Sequence, residues 1–285
     1  MATAVLRTVA EVKAWVAGLR REGRRLALVP TMGYLHEGHL SLMREGRSRA
    51  DVVATSIFVN PTQFGPREDL SRYPRDLEGD VAKCASAGVD VVFAPEDPKA
   101  MYPPGYQTYV EVTDVSQGLC GDRRPGHFRG VATIVTQLLC LFRPEVALFG
   151  EKDYQQLQVI KALNRDLHLG ADIIGMPTVR EPDGLAMSSR NAYLSPEERK
   201  RALSLSRGLK AAQALLREGT REAGVLVGAV RRELEAAGLR EDYVELVDAE
   251  RLKPLALVEP GQSARLLVAA FSGTTRLIDN MPLAG

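Results

Sequence analysis

The chain has 285 residues, enough for about two domains of ordinary size, and 45% of them are hydrophobic, as in a globular protein with a sizeable core. Its 37 basic and 36 acidic residues give a net charge of +1, which argues against a general binder of nucleic acid or of anionic membranes. Three cysteines cannot all pair in disulfides, and we find neither a leader segment nor an apolar run of the roughly 18–20 residues that a membrane helix needs, so we expect a cytoplasmic protein without a membrane span.

The first part of the chain alternates predicted helices with short apolar strands. A capping box at Thr8–Glu11 starts a helix that runs to about Arg20. Such alternation predicts a Rossmann-like parallel sheet with helices on both faces. The glycine-rich and charged segment 118–130 is interpreted as a functional surface loop. The remaining predicted strands are 26–30, 51–59, 89–94, 109–115, 146–149 and 172–176, and the remaining predicted helices begin near His36 or span 74–87, 131–142 and 153–167.

The pattern changes after Met176-Pro177. Ser195-Pro196-Glu197-Glu198 is a strong helix start, with an N-cap serine and proline at the first helical position. Two helices are predicted at 196–217 and 221–237, followed by short strands at 243–248, 265–271 and 275–278. We therefore predict a nucleotide- and substrate-binding domain over 1–176 and a smaller α+β lid domain over 177–285.

The stretch Val29–His39 is the first candidate site. A buried strand ends near Pro30, a tight turn follows at Gly33, and a helix begins near His36. His36 and His39 are three residues apart and therefore share a helix face. The N-terminus of a helix attracts anions, so this stretch favours nucleotide phosphates. Local packing of the two histidines is an equally good interpretation, and a metal site lacks a third ligand, since His127 and His168 have no fitting spacing.

Further candidates follow other strands, and ligands of parallel sheets bind at the carboxyl ends of the strands. We expect the loops after the first, second and fifth predicted strands to converge. Lys152 suits phosphates, and Asp153 either binds a ribose hydroxyl or caps a helix. A solvated charged turn at Gly150–Asp153 is an equally good interpretation. Met187–Arg190 supplies two hydroxyls and a guanidinium, which suit the same ligand.

Three more side chains have polar groups for substrate or metal. Gln63 and Gln156 are neutral amides that can orient a hydroxy acid, although surface exposure is the simpler interpretation of each. Asp80 is a candidate to bind a magnesium ion held by the nucleotide, although a solvated helix carboxylate is the simpler interpretation. On the residues alone, the chain is predicted to be an ATP-dependent adenylating or nucleotidylyl-transferring enzyme.

Six motifs in order resemble the pantoate–β-alanine ligase family, within the nucleotidylyl transferase superfamily. They cover nearly the whole chain and read P-T-M-G-Y-L-H-E-G-H, F-V-N-P-T-Q-F-G, Y-P-R-D, G-H-F-R-G-V, F-G-E-K-D-Y-Q-Q and M-S-S-R-N. One departure is visible, since the superfamily's usual lysine of the last loop is replaced here by Ala186 and Arg190. The cationic role would then pass to Arg190 and Lys152.

The resemblance implies an AMP-forming ligase that condenses pantoate with β-alanine through a pantoyl adenylate, releasing AMP and pyrophosphate. It also implies a homodimer and a requirement for Mg²⁺. Gln63 would contact pantoate and β-alanine, and Gln156 would contact pantoate. The catalytic residues would be His39, His36, Lys152, Ser188, Ser189 and Arg190. The ATP-binding residues would be Met32, Gly33, Tyr34, Leu35, His36, Glu37, Gly38, His39, Gly150, Glu151, Lys152, Asp153, Val179, Met187, Ser188, Ser189 and Arg190.

Three other functions remain open at this point. A nucleotidylyltransferase acting on another small acid would stop at the nucleotide conjugate. A tRNA-charging or RNA-binding relative is disfavoured by the near-zero net charge. A nucleotide sensor without turnover would not require His39, Lys152 and Arg190 together.

Overall fold

The computed structural model describes residues 3–66 and 68–284, and contacts within the chain group into two units. The first contains Met1–Glu151 and Val159–Pro177, and the second contains Lys152–Gln158 and Thr178–Gly285. The domain division at 176/177 stays a prediction.

The first unit contains a six-stranded sheet in which neighbouring strands pair in parallel. Its spatial order is β1-β4-β3-β2-β5-β6. The central strands are buried apolar runs rich in valine and alanine, as expected where helices cover both faces. The strands are β1 (Ala4–Leu6), β2 (Leu26–Thr31), β3 (Val52–Ile57), β4 (Val91–Phe93), β5 (Val146–Gly150) and β6 (Asp172–Met176).

Helices cover this sheet on both sides, which confirms the predicted fold class. The bounds of the helices are α1 (Val9–Arg21), α2 (Glu37–Arg49), α3 (Leu77–Ser86), α4 (Leu119–Arg123), α5 (His127–Phe142) and α6 (Tyr154–Asp166). Side chains alternate between the faces of a strand, so Ala27 and Val29 share a core with Met43 of α2 and Cys84 of α3. On the other side, the ring of Phe142 on α5 lies 6.1 Å from that of Phe93.

The second unit contains a three-stranded antiparallel sheet and two helices. Strands β7 (Arg240–Asp248), β8 (Ser263–Ser272) and β9 (Thr275–Ala284) pair in chain order, and helices α7 (Pro196–Arg217) and α8 (Ala223–Ala236) share their apolar core. The predicted start of α7 is confirmed, because Ser195 Oγ accepts from the Glu198 N–H at 3.2 Å while Glu198 accepts from the Ser195 N–H at 2.9 Å. No helix in the described residues is long and apolar enough to cross a membrane.

Two sequence predictions are wrong. Residues 109–115 form no strand, since the Val110 N–H donates to Thr133 Oγ1 at 3.0 Å instead of to a neighbouring strand. The segment 118–130 is not a surface loop throughout: it contains α4 and the start of α5, where His127 is buried. Two of its glycines mark helix starts, since Gly118 and Gly126, at φ of +67° and +82°, lie immediately before α4 and α5.

Candidate active site

The three strands whose loops carry the first candidates are neighbours in the sheet. The first, second and fifth predicted strands correspond to β2, β3 and β5, and the order β3-β2-β5 puts their carboxyl ends side by side. The three strand ends are therefore adjacent, and the convergence of the loops that follow them stays a prediction. This edge is where parallel sheets bind ligands.

The turn after β2 is built from a backbone that requires glycine. Gly33 has a φ of +83°, and a Cβ at this position would lie 2.9 Å from Ile57 Cγ2. Tyr34 follows with a φ of +51°, which is uncommon for a residue with a side chain. Thr31 Oγ1 accepts from the Gly33 N–H at 3.2 Å and donates to the Ser56 carbonyl at 2.7 Å. The turn is thus fixed against β3.

Asp80 of α3 holds the other side of this turn. Its carboxylate accepts from the backbone N–H groups of Tyr34 at 2.6 Å and Leu35 at 2.7 Å, and the residue is 1% exposed. Burial raises the pKa of Asp80, although the two N–H groups and the nearby Lys83 ammonium act in the opposite direction. Lys83 also donates to the Leu35 carbonyl at 3.0 Å. These contacts favour a structural role, and the magnesium role of Asp80 stays a prediction.

His36 and His39 lie together where α2 begins. Their ring centroids are 4.1 Å apart, and the His36 N–H donates to His39 Nδ1 at 3.3 Å. An Nδ1 that accepts this bond assigns the proton of a neutral ring to Nε2. His36 is the extended N-cap residue, so both rings lie in the region of positive helix potential. Glu37, in the same turn, pairs on the helix surface with Arg44.

Gln63 lies in a short 3-10 helix, Pro61–Gln63, that follows β3. It is 8% exposed, so the simpler interpretation of an exposed surface glutamine is wrong. Its Oε1 accepts from Asn60 Nδ2 at 3.0 Å, and its Nε2 donates to Met32 Sδ at 3.2 Å. The structure therefore brings Gln63 and Met32 together.

Asn60 and Tyr102 support Gln63 and were not among the predicted site residues. Asn60 Oδ1 accepts from Tyr102 Oη at 2.8 Å, while Asn60 Nδ2 also donates to the Gly130 carbonyl at 3.1 Å. Burial raises the pKa of Tyr102 to about 12, which keeps the phenol neutral. The N-P-T-Q motif contains Asn60, but only the fold brings Tyr102 beside it.

The G-H-F-R-G motif holds the backbone of Gln63. His127 Nδ1 donates to the Gln63 carbonyl at 2.9 Å, and Arg124 Nη1 lies 3.1 Å from His127 Nε2. Arg124 forms a bidentate pair with Glu68 at 2.6 and 2.7 Å. A Cβ on Gly130 would lie 2.6 Å from Gln63 N, so only glycine permits this approach of α5. His127 thus has a role that its spacing to other histidines could not reveal.

Lys152 lies in a 3-10 helix, Glu151–Asp153, after β5, and by contact it belongs to the second unit. Its carbonyl accepts from Asn280 Nδ2 at 2.9 Å, and its Nζ lies 3.8 Å from Asp153 Oδ2. The Tyr154 hydroxyl donates to the Ala249 carbonyl at 2.8 Å. The backbone of Lys152 is therefore held in place, whereas its ammonium group lies at the end of a long side chain.

The loop that carries Met187–Arg190 is joined to the preceding segment by a backbone hydrogen bond. The Met187 N–H donates to the Val179 carbonyl at 3.0 Å, which brings these two predicted residues together. Ser188 caps the short 3-10 helix Ser189–Tyr193, since its Oγ accepts from the Arg190 N–H at 3.2 Å. Gln156, which was predicted to contact pantoate, is half-buried on α6.

Comparisons with known proteins agree over nearly the whole chain. The family model described as pantoate-beta-alanine ligase matches residues 4–282. The chain is 86% identical to a pantothenate synthetase of Myxococcus xanthus over 100% of this chain and 98% of the relative, and 61% identical to one of Anaeromyxobacter dehalogenans over 95% and 96%.

Two solved structures are also similar to the chain. The pantothenate synthetase of Thermus thermophilus has a TM-score of 0.93 and 46% identity, covering 99% of this chain and 100% of that one. The pantoate-beta-alanine ligase of Francisella tularensis, solved with beta-gamma ATP and beta-alanine, has a TM-score of 0.80 and 34% identity, covering 98% and 97%.

Proposed function

The chain belongs to the pantoate–β-alanine ligase family, and we propose that it condenses pantoate with β-alanine through a pantoyl-adenylate intermediate. The ATP-dependent formation of the carbon–nitrogen bond follows from the family match over residues 4–282, which is the observation that carries the proposal. The intermediate is our inference from the chemistry. A free carboxylate offers an amine no usable leaving group at neutral pH, so it must first be activated.

The proposed reaction has two steps. A carboxylate oxygen of pantoate attacks the α-phosphorus of ATP, the bond from that phosphorus to the bridging oxygen breaks, and pyrophosphate leaves. The amine of β-alanine then attacks the acyl carbon, the bond from acyl carbon to the bridging oxygen breaks, and AMP leaves. The attacking nitrogen loses a proton as the amide forms.

In the first unit, we assign ATP binding to Met32, Gly33, Tyr34, Leu35, His36, Glu37, Gly38 and His39. The fixed turn and the start of α2 support this assignment, because N–H groups and partial positive charge at a helix start suit a phosphate. His39 is proposed to stabilise charge that develops on the α-phosphoryl group, with His36 as its partner. Gln63 is proposed to orient pantoate and β-alanine, supported by the bonds that fix its amide.

In the second unit, we assign the phosphate-binding cations to Lys152 and Arg190, with Ser188 and Ser189 as hydroxyl donors. Ala186 is 5% exposed and apolar, so it cannot replace the superfamily's lysine. Gln156 is proposed to contact pantoate. The other residues assigned to ATP are Gly150, Glu151, Asp153, Val179 and Met187.

Magnesium is proposed to arrive with ATP. Among the residues that the structure describes, no group of three or more His, Cys, Asp or Glu could hold a metal ion. Mg²⁺ is commonly bound through substrate phosphates and water, with few protein ligands. The donor set therefore does not fit a protein cage, and none of the steps above requires one.

The activity is tested with ATP, Mg²⁺, pantoate and β-alanine while AMP, pyrophosphate and pantothenate are followed. We expect the three products in equal amounts, with AMP release dependent on β-alanine. AMP release that does not depend on β-alanine would exclude the proposed ligase activity. A nucleotide conjugate that persists with β-alanine present would favour a nucleotidylyltransferase for another acid.

The intermediate is tested with pantoate carrying ¹⁸O in its carboxylate. Attack on the α-phosphorus transfers one labelled oxygen to AMP, and we expect that label in the AMP formed after β-alanine is added. Unlabelled AMP would exclude the pantoyl adenylate. Pantoate-dependent exchange of pyrophosphate into ATP without β-alanine provides an independent check.

We further propose a cytoplasmic homodimer. The dimer is supported by the family resemblance. Light scattering after size exclusion should give twice the mass of the chain, whereas a single-chain mass would exclude the dimer.

The cytoplasmic location is supported by the three cysteines, which cannot all pair within one chain. Titration of the denatured, unreduced protein should find three thiols, and fewer would contradict a reducing compartment.

A further inference from the structure

Two neighbouring residues of β9 form hydrogen bonds with two chain segments that contain proposed ATP-binding residues. Asp279 accepts from Arg180 at 2.6 and 2.9 Å in a bidentate pair, and Arg180 directly follows Val179. Asn280 donates to the Lys152 carbonyl at 2.9 Å. Asp279 and Asn280 are each 3% exposed. Two segments of the second unit that are widely separated in sequence are thus attached to one strand.

The strand fixes both anchors. Antiparallel pairing of β8 and β9 sets Val268 against Asp279 and Leu267 against Asn280. Successive side chains of a strand point to opposite faces, so this pair reaches both sides of the sheet. The Asn280 N–H also donates to Asp279 Oδ1 at 2.8 Å.

A buried arginine fixes the orientation of the Asn280 amide. Arg265 of β8 is 6% exposed, and its Nε donates to Asn280 Oδ1 at 2.7 Å. This bond identifies the amide oxygen and leaves Nδ2 as the group that donates to Lys152. The Arg265 guanidinium lies 3.9 Å from the ring centre of Tyr154, two residues after Lys152. The Lys152 carbonyl is therefore held by a buried amide that a buried arginine holds in turn.

The Asp279 pair fixes the base of the other loop. Arg180 also donates to the Gly184 carbonyl at 3.1 Å and pairs with Ala186 in an isolated antiparallel bridge. Val179 and Met187 lie on either side of this turn, and the Met187 N–H donates to the Val179 carbonyl. A bidentate pair restricts the direction of the guanidinium as well as its distance. The path of the chain into Met187–Arg190 thus depends on a carboxylate of β9.

We propose that Asp279 and Asn280 are positioning residues for ATP, acting through Arg180 and through the backbone of Lys152. The inference rests on the proposed function of Lys152 and Met187–Arg190. Neither β9 side chain needs to touch the nucleotide, because small displacements of the groups that bind a reacting substrate are enough to change the rate, by about 100-fold for about 1 Å.

The test compares Asn280→Ala and Asp279→Asn with the wild-type enzyme. We expect each variant to raise KM for ATP about tenfold and to lower kcat, with KM for β-alanine changed by less than twofold. Asn280→Ser, which retains a short donor, should recover part of the loss. The matched control is Asp242→Asn, since Arg276 of β9 donates to Asp242 at 2.8 Å and thereby joins β9 to β7. This control should lose stability without a change in KM for ATP.

A second measurement asks whether Asn280 acts through Lys152. If it does, Asn280→Ala combined with Lys152→Ala should be no more impaired than Lys152→Ala alone. Folded Asn280 and Asp279 variants with wild-type KM for ATP and kcat would overturn the proposal, as would additive losses in the double variant. If Asp279→Asn does not fold, the Asn280 variants decide. A wild-type enzyme that makes no pantothenate would instead overturn the proposed function.

Discussion

His39 combines a helix start, a neighbouring imidazole and a defined hydrogen bond. The His36 N–H at 3.3 Å from Nδ1 sets the ring's direction, and the helix start favours negative charge nearby. We propose that His39 stabilises the transition state of adenylation more than it stabilises bound ATP. On that proposal, His39 contributes more to the rate of the first step than to ATP affinity.

We expect His39→Ala to lower the single-turnover rate of adenylation about 100-fold or more while Kd for ATP changes less than threefold, as is typical for loss of a positioned proton donor or charge stabiliser. Rapid-quench measurement of pyrophosphate and calorimetric titration with a non-hydrolysable ATP analogue give the two numbers. His168→Ala is the control, since His168 lies beyond α6 in a surface turn with a φ of +52°. Normal chemistry with weakened ATP binding would contradict the proposed role.

Asp80 gives a second prediction at this scale. Asp80→Ala removes the acceptor of two backbone N–H groups, and an unsatisfied buried donor costs about 1–3 kcal/mol. We expect the free energy of unfolding to fall by about 2–4 kcal/mol without ATP or Mg²⁺ present. Asp76→Ala at the exposed N-cap of α3 should cost about 1 kcal/mol. A ligand that served magnesium alone would leave the metal-free stability unchanged, and that result would refute the structural role.

At the scale of elements, Glu68 and Arg124 connect the loop after α4 to Gln63. Burial pushes the pKa of Glu68 upward, but the hydrogen bonds and charge of Arg124 outweigh it and leave the pKa below its usual value. A carboxyl whose pKa is lower in the folded state stabilises the fold above its unfolded pKa. That stabilisation disappears as pH falls through the folded pKa.

Glu68→Gln should therefore reduce the free energy of unfolding by about 2 kcal/mol at pH 7, the scale of a hydrogen bond to a charged group. The difference from wild type should shrink as pH falls below about 4.3, the unfolded pKa of glutamate. Denaturant titrations between pH 7 and pH 3.5 measure this difference in the free energy of unfolding. Glu241→Gln, which breaks the surface pair with Arg231 at 2.9 Å, should cost little at any pH. A Glu68 difference that stays constant with pH would contradict the assignment.

Elements with strong local signals were predicted well, and elements that depend on partners were not. Ser195 and Glu198 predict the start of α7 because a capping box is formed within four consecutive residues. Residues 109–115 have the composition of a strand, but a strand needs a neighbour, and no sequence pattern states that the Val110 N–H meets Thr133. The short strand β1 was missed because three residues carry almost no periodicity.

The same distinction applies to the candidate site. Short motifs were enough to propose His36, His39, Gln63 and Lys152 as candidates, because each lies beside a turn or a strand end. Tyr102 and Asp80 take their partners from other elements, 42 and 45–46 residues away in sequence. Long-range pairs of this kind are set by topology, so a single sequence could not assign them.

At the scale of the whole molecule, ATP should stabilise the native state by mass action. A ligand at 100 times its Kd that binds only folded protein contributes about 2.7 kcal/mol. Thermal unfolding with Mg²⁺-ATP should therefore shift upward by about 5–10 °C, from about 2–4 °C per kcal/mol for domains of 150–250 residues. Lys152→Ala should show a smaller shift at the same ATP concentration. An unchanged midpoint for the wild type at saturating ATP would contradict ATP binding to the native chain.

The way α6 is shared between the two units limits how the gene can be cut. Residues 152–158 belong by contact to the second unit, although residues 159–177 return to the first. A fragment ending after residue 177 would retain every strand of the parallel sheet but would separate Lys152 from Asn280. Loss of ATP binding by such a fragment would therefore reveal nothing about the sheet, and a split-gene complementation that supplies 178–285 in trans is the informative design.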